Sequence, residues 1–460
     1  MKNYSILFII MPLIMVAGCQ KQSPSSENQL EINFAHLEHL TETIELRGEL
    51  VDIVHIYAEH PSYHWVDAAS EGITCIDDVA RAAIVYLRFF ELTTDSTVLD
   101  RARRLLRFVL LMQTEDGEFY NFILPDHSIN KQFKTSRKSF DFWAARGYWA
   151  LGKGYKIFRE IDPKFGDQLK HAFEKCKSPL EKILANYPKT IIDCGVEYPL
   201  WLLNRYGADA TAEFMLGIAE YLTVECDDEL LASVKLLSEG ILMMQLPKHH
   251  QYGGAFLSWK NIWHDWGNSQ MQALTACSPL LNDQRLVKQI RLEADGFLAR
   301  LIPEGRLHQI DLADNTVWEF PQIAYGIRCQ TVGLLGLHQI TGEEKYAKLA
   351  GLTAAWLNGE NGARFQMYDE QTGRVYDGIN DSSSVNKNSG AESTIEGLYA
   401  LIEIIHHPIA KRYLKYNIRK NENTKDLDDV EIVSTIFYSS DGKQLTIRYD
   451  KKSMNFEIIE

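Results

Sequence analysis

No apolar run in this chain is long enough to span a bilayer, which needs about 20 consecutive apolar residues. The body is therefore not a set of membrane helices. Nor is there a Lys/Arg cluster to track a phosphate backbone, and a formal net charge of -14 opposes one. Nucleic acid is accordingly not an expected partner. None of the 7 cysteines forms a C-x-x-C pair, so structural zinc and thioredoxin-like chemistry lack their ligands. His249-His250 and His406-His407 are adjacent pairs, not the i, i+4 spacing that faces one metal. Neither a metal nor another cofactor is expected. Cys75, Cys176, Cys194, Cys226, Cys277 and Cys329 sit mostly among apolar neighbours and read as small buried hydrophobes, although an oxidising compartment would permit disulfides. What the chain does have is 45% hydrophobic content over 460 residues, enough for one large globular domain or two ordinary ones.

The N-terminus reads as an export signal. Lys2 supplies a positive start, Ile6 to Val16 an apolar stretch, and Val16-Ala17-Gly18-Cys19 resembles the lipobox of bacterial lipoproteins. The expectation is cleavage before Cys19 and attachment of lipid to its thiol. Residues 20–33, polar and Ser-rich over most of their length, would form a flexible tether. A membrane-anchored lipoprotein follows, periplasmic or on the cell surface, with the membrane as partner through that lipid.

From about residue 34 to 418 the 3.6-residue period dominates and strand signals are nearly absent. About a dozen amphipathic stretches are joined mostly by short connections, and Leu37–Tyr57 and Tyr198–Tyr206 are also read as helical. Glycine turns followed by an apolar residue recur at Gly117, Gly254, Gly305 and Gly362, where a left-handed residue suits a helix end. This reads as a degenerate repeat of helical hairpins. Six hairpins in a ring give an all-α (α/α)6 toroid; an open solenoid is the alternative. Beyond the polar stretch Arg419–Asp429, alternation at Leu445, Ile447 and Tyr449 and the turn at Asp441-Gly442 predict a small β-hairpin appendage over 430–460, with Met454–Ile459 as a candidate third strand.

The loops between these helices concentrate carboxylates and aromatics. Tyr63 to Asp67, including Trp65, is followed by Cys75-Ile76-Asp77-Asp78-Val79-Ala80-Arg81. Thr74 or Asp77 suffices to cap that helix, which leaves Asp78 for chemistry. Asp141 and Trp143 precede Arg146, a constellation that reads equally as a structural ion pair. Cys194 to Tyr198 reads as a helix opening. Three tryptophans fall between Trp259 and Trp266, with Trp263-His264-Asp265 at their centre, and Trp318-Glu319 comes later. Aromatic faces stack on the apolar side of a pyranose, acids accept its hydroxyls, and a carboxylate pair supplies the acid and base of glycoside hydrolysis.

The richest segment runs from Trp356 to Ala400. It contains Tyr376-Asp377-Gly378 and Val385-Asn386-Lys387-Asn388-Ser389-Gly390-Ala391-Glu392-Ser393-Thr394. This resembles the closing hairpin of a bacterial (α/α)6-toroid domain found alone or fused to glycosyltransferases. Cys75 to Arg81 is similar to that family's early Cys-x-Asp-Asp-x-Ala-Arg. Leu357 and Ser389 stand where an aromatic and Gln are usual, and no glycosyltransferase domain is present. The resemblance brackets about residues 57 to 405. It implies a place among the six-hairpin glycosidase-like enzymes, which include hydrolases, polysaccharide lyases and sugar epimerases. The matched positions are Asp77, Asp78, Arg81, Asp377, Asn386, Asn388 and Glu392.

The expectation is therefore a carbohydrate-active enzyme, foremost a glycoside hydrolase acting on an oligosaccharide or polysaccharide. Asp78 and Glu392 lead as acid and base, with Asp265, Glu319 and Asp377 behind them. Trp65, Trp143, Trp263 and Trp318 would stack on sugar, and Asp77, Arg81, Asp141, Arg146, His264, Tyr376, Asn386 and Asn388 would bind it. A lyase or epimerase on the same fold, or a non-catalytic glycan-binding lipoprotein, are the alternatives.

Overall fold

The computed structural model describes residues 30–425 and 431–460, with side chains described outside 418–431. The export signal, Cys19 and most of the tether lie outside the described residues. Fourteen α-helices occur among the described residues: α1 (Ala35–Leu40), α2 (Ile76–Thr93), α3 (Leu99–Met112), α4 (Phe142–Ile161), α5 (Pro163–Glu174), α6 (Lys177–Leu184), α7 (Ala208–Leu222), α8 (Asp228–Met243), α9 (Gln270–Leu281), α10 (Gln284–Glu293), α11 (Ala299–Glu304), α12 (Ala324–Thr341), α13 (Glu344–Ala354) and α14 (Ala391–His406).

Six of them form an inner ring. α2 packs on α4, α4 on α7, α7 on α9, α9 on α12, α12 on α14, and α14 returns to α2. That closure is what an open solenoid lacks, so the arrangement is the (α/α)6 toroid. The inner helices are apolar nearly all round because protein surrounds them. α12, for example, carries Arg328 as its only Lys, Arg, Asp or Glu. Small residues let them approach closely: a Cβ on Gly152 of α4 would lie 2.3 Å from the Gly217 carbonyl oxygen of α7. Outer helices are amphipathic, as α3 shows by burying Ala102, Leu105, Leu106, Phe108, Val109 and Met112 while its arginines stay partly exposed. They cover their inner partners as α2–α3, α4–α5, α7–α8, α9–α10 and α12–α13. α14 has no full outer helix; α1 and the turn at Ala410–Arg412 pack on it instead.

The glycine marks are structural at two places. Gly117 and Gly254 have φ of +84° and +92°. A Cβ on either would lie 2.4 Å from a carbonyl oxygen of the next outer layer, Lys175 or Leu292. Gln113 and Gln245 repeat one another as well, donating to the Ala172 and Gln289 carbonyls at 2.9 and 2.8 Å. Gly305 has φ +116° in open space, and Gly362 does not take a positive φ.

Three readings need correction. Leu37–Tyr57 is helical only to Leu40; a hairpin follows, Thr41–Leu46 paired with Glu49–Val54, turning at Arg47-Gly48 with both φ positive. Ile44 and Leu46 are buried while Thr43 and Glu45 are exposed, a period of two that the apolar content masked. The segment around Cys194 is likewise a hairpin, Thr190–Asp193 with Val196–Pro199, and not a helix opening; Tyr198–Tyr206 leaves its second strand through turns and contains no helix. Short strands therefore fringe the toroid where few were expected. Last, the C-terminal appendage is a four-stranded antiparallel meander, not a hairpin: Tyr416–Lys425, Glu431–Ser439, Gln444–Asp450 and Asn455–Ile459. Its first strand lies partly in the polar stretch read as a linker, where no apolar alternation marks it. Phe437, Leu445, Ile447, Tyr449 and Phe456 are buried. The sheet packs on α11 and α13, and Tyr449 donates to the Gly296 carbonyl at 2.6 Å.

Candidate active site

The first turns of all six inner helices converge at one end of the ring. α2 brings Asp77, Asp78 and Arg81; α4 brings Arg146; α7 brings Asp209 and Glu213; α9 brings Gln272, with Ser269 as N-cap; α12 brings Tyr325 and Arg328; α14 brings Glu392 and Glu396. Helix N-termini carry partial positive charge, which favours carboxylates here.

These groups form one connected network. Arg81 Nη2 donates to Asp78 Oδ1 at 2.6 Å, and its Nη1 donates to Glu396 Oε1 at 2.9 Å and Glu392 Oε2 at 3.3 Å. Arg328, fully buried on α12, reaches Glu396 through Nε, Gln272 at 2.7 Å, Ser269 at 3.1 Å and Glu213 at 3.0 Å. Arg146 donates to Asp77 and to the Tyr325 hydroxyl, which in turn donates to Glu213 at 3.4 Å. The guanidinium carbons of Arg81, Arg146 and Arg328 stand 5.1, 5.0 and 5.3 Å from the Tyr325 ring centroid.

The carboxyls are pulled apart electrostatically. Burial raises Glu392 to about 6, with Arg81 and Arg146 opposing and Asp78 and Glu396 reinforcing the rise. Its side chain nevertheless keeps 46% of its surface open, toward the cavity it lines. Burial also raises Asp78, against the pull of Arg81. For Glu396 burial pushes up, but Arg328 and Arg81 outweigh it and hold the group below the ordinary range. Burial raises Asp377, whose Oδ1 accepts from Ser393 Oγ at 2.6 Å and the Gly390 amide at 2.9 Å.

Two cavities open here. The first, about 330 Å³, is lined by Tyr57, Glu71, Asp77, Asp78, Arg81, Tyr325, Asp377 and Glu392 among others. The second, about 350 Å³, is lined by Asp141, Phe142, Trp143, Asp209, Trp259, His264, Trp266 and their neighbours. They share a wall. Arg146 lies over the Phe142 ring at 4.2 Å and the Tyr325 ring at 5.0 Å, and a Cβ on Gly267 would lie 3.0 Å from the Phe142 ring and 3.1 Å from the Tyr325 hydroxyl. In the second cavity His264 Nε2 is 3.4 Å from Asp209 Oδ2. Trp266 stacks on His264 and His308 at 4.0 and 4.6 Å.

Of the residues expected from the sequence, Asp77, Asp78, Arg81, Asp377 and Glu392 meet in the first cavity, and Asp141, Trp143 and His264 in the second, with Arg146 between. Neither Thr74 nor Asp77 caps α2; Thr74 Oγ1 accepts the Val54 amide and Asp77 holds Arg146. Asp141 does cap α4, accepting the Phe142 amide at 2.8 Å, and makes no ion pair with Arg146. Trp263 is fully buried against Phe297 and has no face to offer a ligand. Asp265 is buried beside His308 at 3.6 Å, pressed against Gly326 of α12, and lines neither cavity. Trp65 stacks on His55 at 3.7 Å, away from both. Trp318 and Glu319 are exposed and also line neither. Tyr376 packs on Phe365, while Asn386 and Asn388 accept the Asn388 and His60 amides and so shape the loop that carries Asp377.

Glu213, Glu396, Tyr325 and Arg328 were missed as site residues. A signal existed: Asp209/Glu213 and Glu392/Glu396 place acids at i, i+4 at the starts of helices with one further acid each, Glu220 and Glu403, and Arg328 is a lone charge in another. Among the described residues no three His, Cys, Asp or Glu side chains gather as a metal set, and none of the six cysteines is in a disulfide.

No family model matches this sequence, and no curated protein matches it. Solved structures do match. Cellobiose 2-epimerase from Spirochaeta thermophila DSM 6192 superposes with a TM-score of 0.55 at 11% identity, covering 76% of this chain and 90% of that one. Cellobiose 2-epimerase from Bacillus thermoamylovorans B4167 gives 0.53 at 11%, covering 76% and 92%. A sugar epimerase from a ruminal bacterium gives 0.52 at 14%, also covering 76% and 92%. The likeness to these solved structures is one of fold, the (α/α)6 toroid.

Proposed function

We propose that this protein is a carbohydrate-active enzyme, and specifically a glycoside hydrolase working by carboxylate acid/base catalysis. The observation that carries the reading is Glu392: a carboxyl held near 6, open to a cavity, and linked through Arg81 to the adjacent acids Asp77 and Asp78. A group so poised keeps a proton to give to a departing glycosidic oxygen. Its partner faces the developing positive charge at the anomeric carbon. Of the two adjacent acids, Asp77 keeps 23% of its side chain open and Asp78 only 4%. Asp77 is therefore assigned the facing carboxylate, and Asp78 the task of fixing Arg81. A second reading, sugar epimerisation, is favoured by His264 beside Asp209 in the lining of the second cavity, where an imidazole would serve to move a sugar's carbon-bound proton.

The test is a product assay on residues 31–460 with a panel of oligosaccharides. Release of reducing ends, lost in Glu392→Gln and Asp77→Asn, supports hydrolysis. A product isomeric with its substrate, lost in His264→Asn but not Glu392→Gln, supports epimerisation. A glycan that raises the melting temperature without being changed would make the protein a binding lipoprotein and sink both enzymatic readings.

Anchoring through lipid on Cys19, in the periplasm or at the cell surface, belongs to the same proposal and rests on the lipobox-like Val16 to Cys19. Cys19→Ser should abolish fatty-acid labelling and move the protein to the soluble fraction; unchanged membrane association of that variant would refute it.

A further inference from the structure

Every guanidinium that reaches the cleft is already engaged. Arg81 donates from Nε to the Asp77 carbonyl at 3.3 Å and from both Nη atoms to carboxylates. Arg328 spends all three nitrogens on Glu396, Ser269, Gln272 and Glu213. Arg146 gives Nη1 to Asp77 and Nη2 to the Tyr325 hydroxyl, so its charge is matched by Asp77. No lysine lines either cavity. Facing this absence of spare positive charge, the first cavity presents Glu71, Asp77, Asp78, Asp377 and Glu392. The second adds Asp141 and Asp209, together with the indoles of Trp143 and Trp259. Each cavity falls in the volume range of a small-ligand site, roughly 300–1,000 Å³, and Phe142 of the second and Tyr325 of the first both stand against Gly267.

From this we infer that the cleft takes an uncharged sugar chain of at least two rings, one in each cavity, and rejects uronates. The inference rests on the carbohydrate reading above and names its substrate class. A uronate carboxylate placed in either cavity would meet like charge at close range, with Arg81 and Arg146 already matched by carboxylates, and burial from water would magnify that repulsion. A neutral ring instead gives its hydroxyl protons to the carboxylates and its apolar face to an indole. The same argument weighs against a lyase, whose chemistry starts by neutralising a uronate.

The experiment is calorimetric titration of the full chain with neutral mono-, di- and trisaccharides and with the corresponding uronates, at low and high salt. The neutral series should gain about tenfold or more in affinity from one ring to two, a step of about 1.4 kcal/mol. Uronates should bind at least about tenfold more weakly at low salt, and the gap should narrow at high salt as the repulsion is screened. Trp143→Ala should erase the gain from the second ring and leave the first. Trp143→Phe, which preserves the packing, should retain part of it. Uronates binding as tightly as neutral sugars, or affinity indifferent to ring number, would overturn the inference, as would a failure of every sugar to bind. The expected binding pattern without turnover would instead sink the hydrolase reading and leave this one standing.

Discussion

Glu392 shows how a single side chain is set by its surroundings. Burial lifts it to about 6, yet Arg81 prevents it from rising further, so it titrates close to neutrality. As a proton donor it works only while protonated. The hydrolytic rate should therefore fall as pH rises through about 6, and raising the pH should leave Glu392→Gln at its low residual rate with no such limb. A kcat/KM profile across this range checks it; a wild-type rate that instead rises through 6 would make Glu392 a base. The residue stood out in the sequence because Asn388, Gly390 and Glu392 fell in a recognisable motif. Its electrostatic partner Glu396 did not, because an acid one turn further along resembles ordinary helix solvation until the ring closes over it.

At the scale of the element, the inner helices present their N-termini to the cleft and their backs to the outer layer, and the glycine turns make that spacing possible. Gly195 and Gly254 test this as a pair. Both have positive φ, but Gly195 has open space around it while a Cβ on Gly254 would meet the Leu292 carbonyl at 2.4 Å. Alanine at Gly195 should cost about 1–2 kcal/mol, the backbone penalty alone. Alanine at Gly254 should cost a further ~1–3 kcal/mol, because backbone in the outer layer must move. Urea denaturation of the two variants compares them directly; equal losses would mean that the close approach has no energetic weight. The recurring Gly marks were legible in the sequence. That Gly117 and Gly254 alone press against the next outer layer was not, since the contact lies some 40–60 residues away along the chain.

At the scale of the whole molecule, Arg328 ties α12 to α7, α9 and α14 through one buried side chain. Removing one member of a buried ion pair leaves the others desolvated and unpaired, at a cost of about 3–5 kcal/mol. Arg328→Met should lose stability by that amount in a denaturant melt, more than Arg285→Met, whose charge is exposed on α10; equal effects would show that the central network contributes nothing to holding the ring. By itself the sequence determined the helical repeat, the bundle of inner apolar helices and the motif residues of α2 and α14, because period and local spacing are written in neighbouring residues. It also determined the acidity of the cleft loops. Only the tertiary structure decided that the ring closes and that Trp263 is core while Trp143 faces a cavity. It alone decided that Arg328, Glu213, Glu396 and Tyr325 join the motif residues in one charged network. Those outcomes depend on which helix faces meet across the toroid, and no local pattern encodes contacts between segments separated by hundreds of residues.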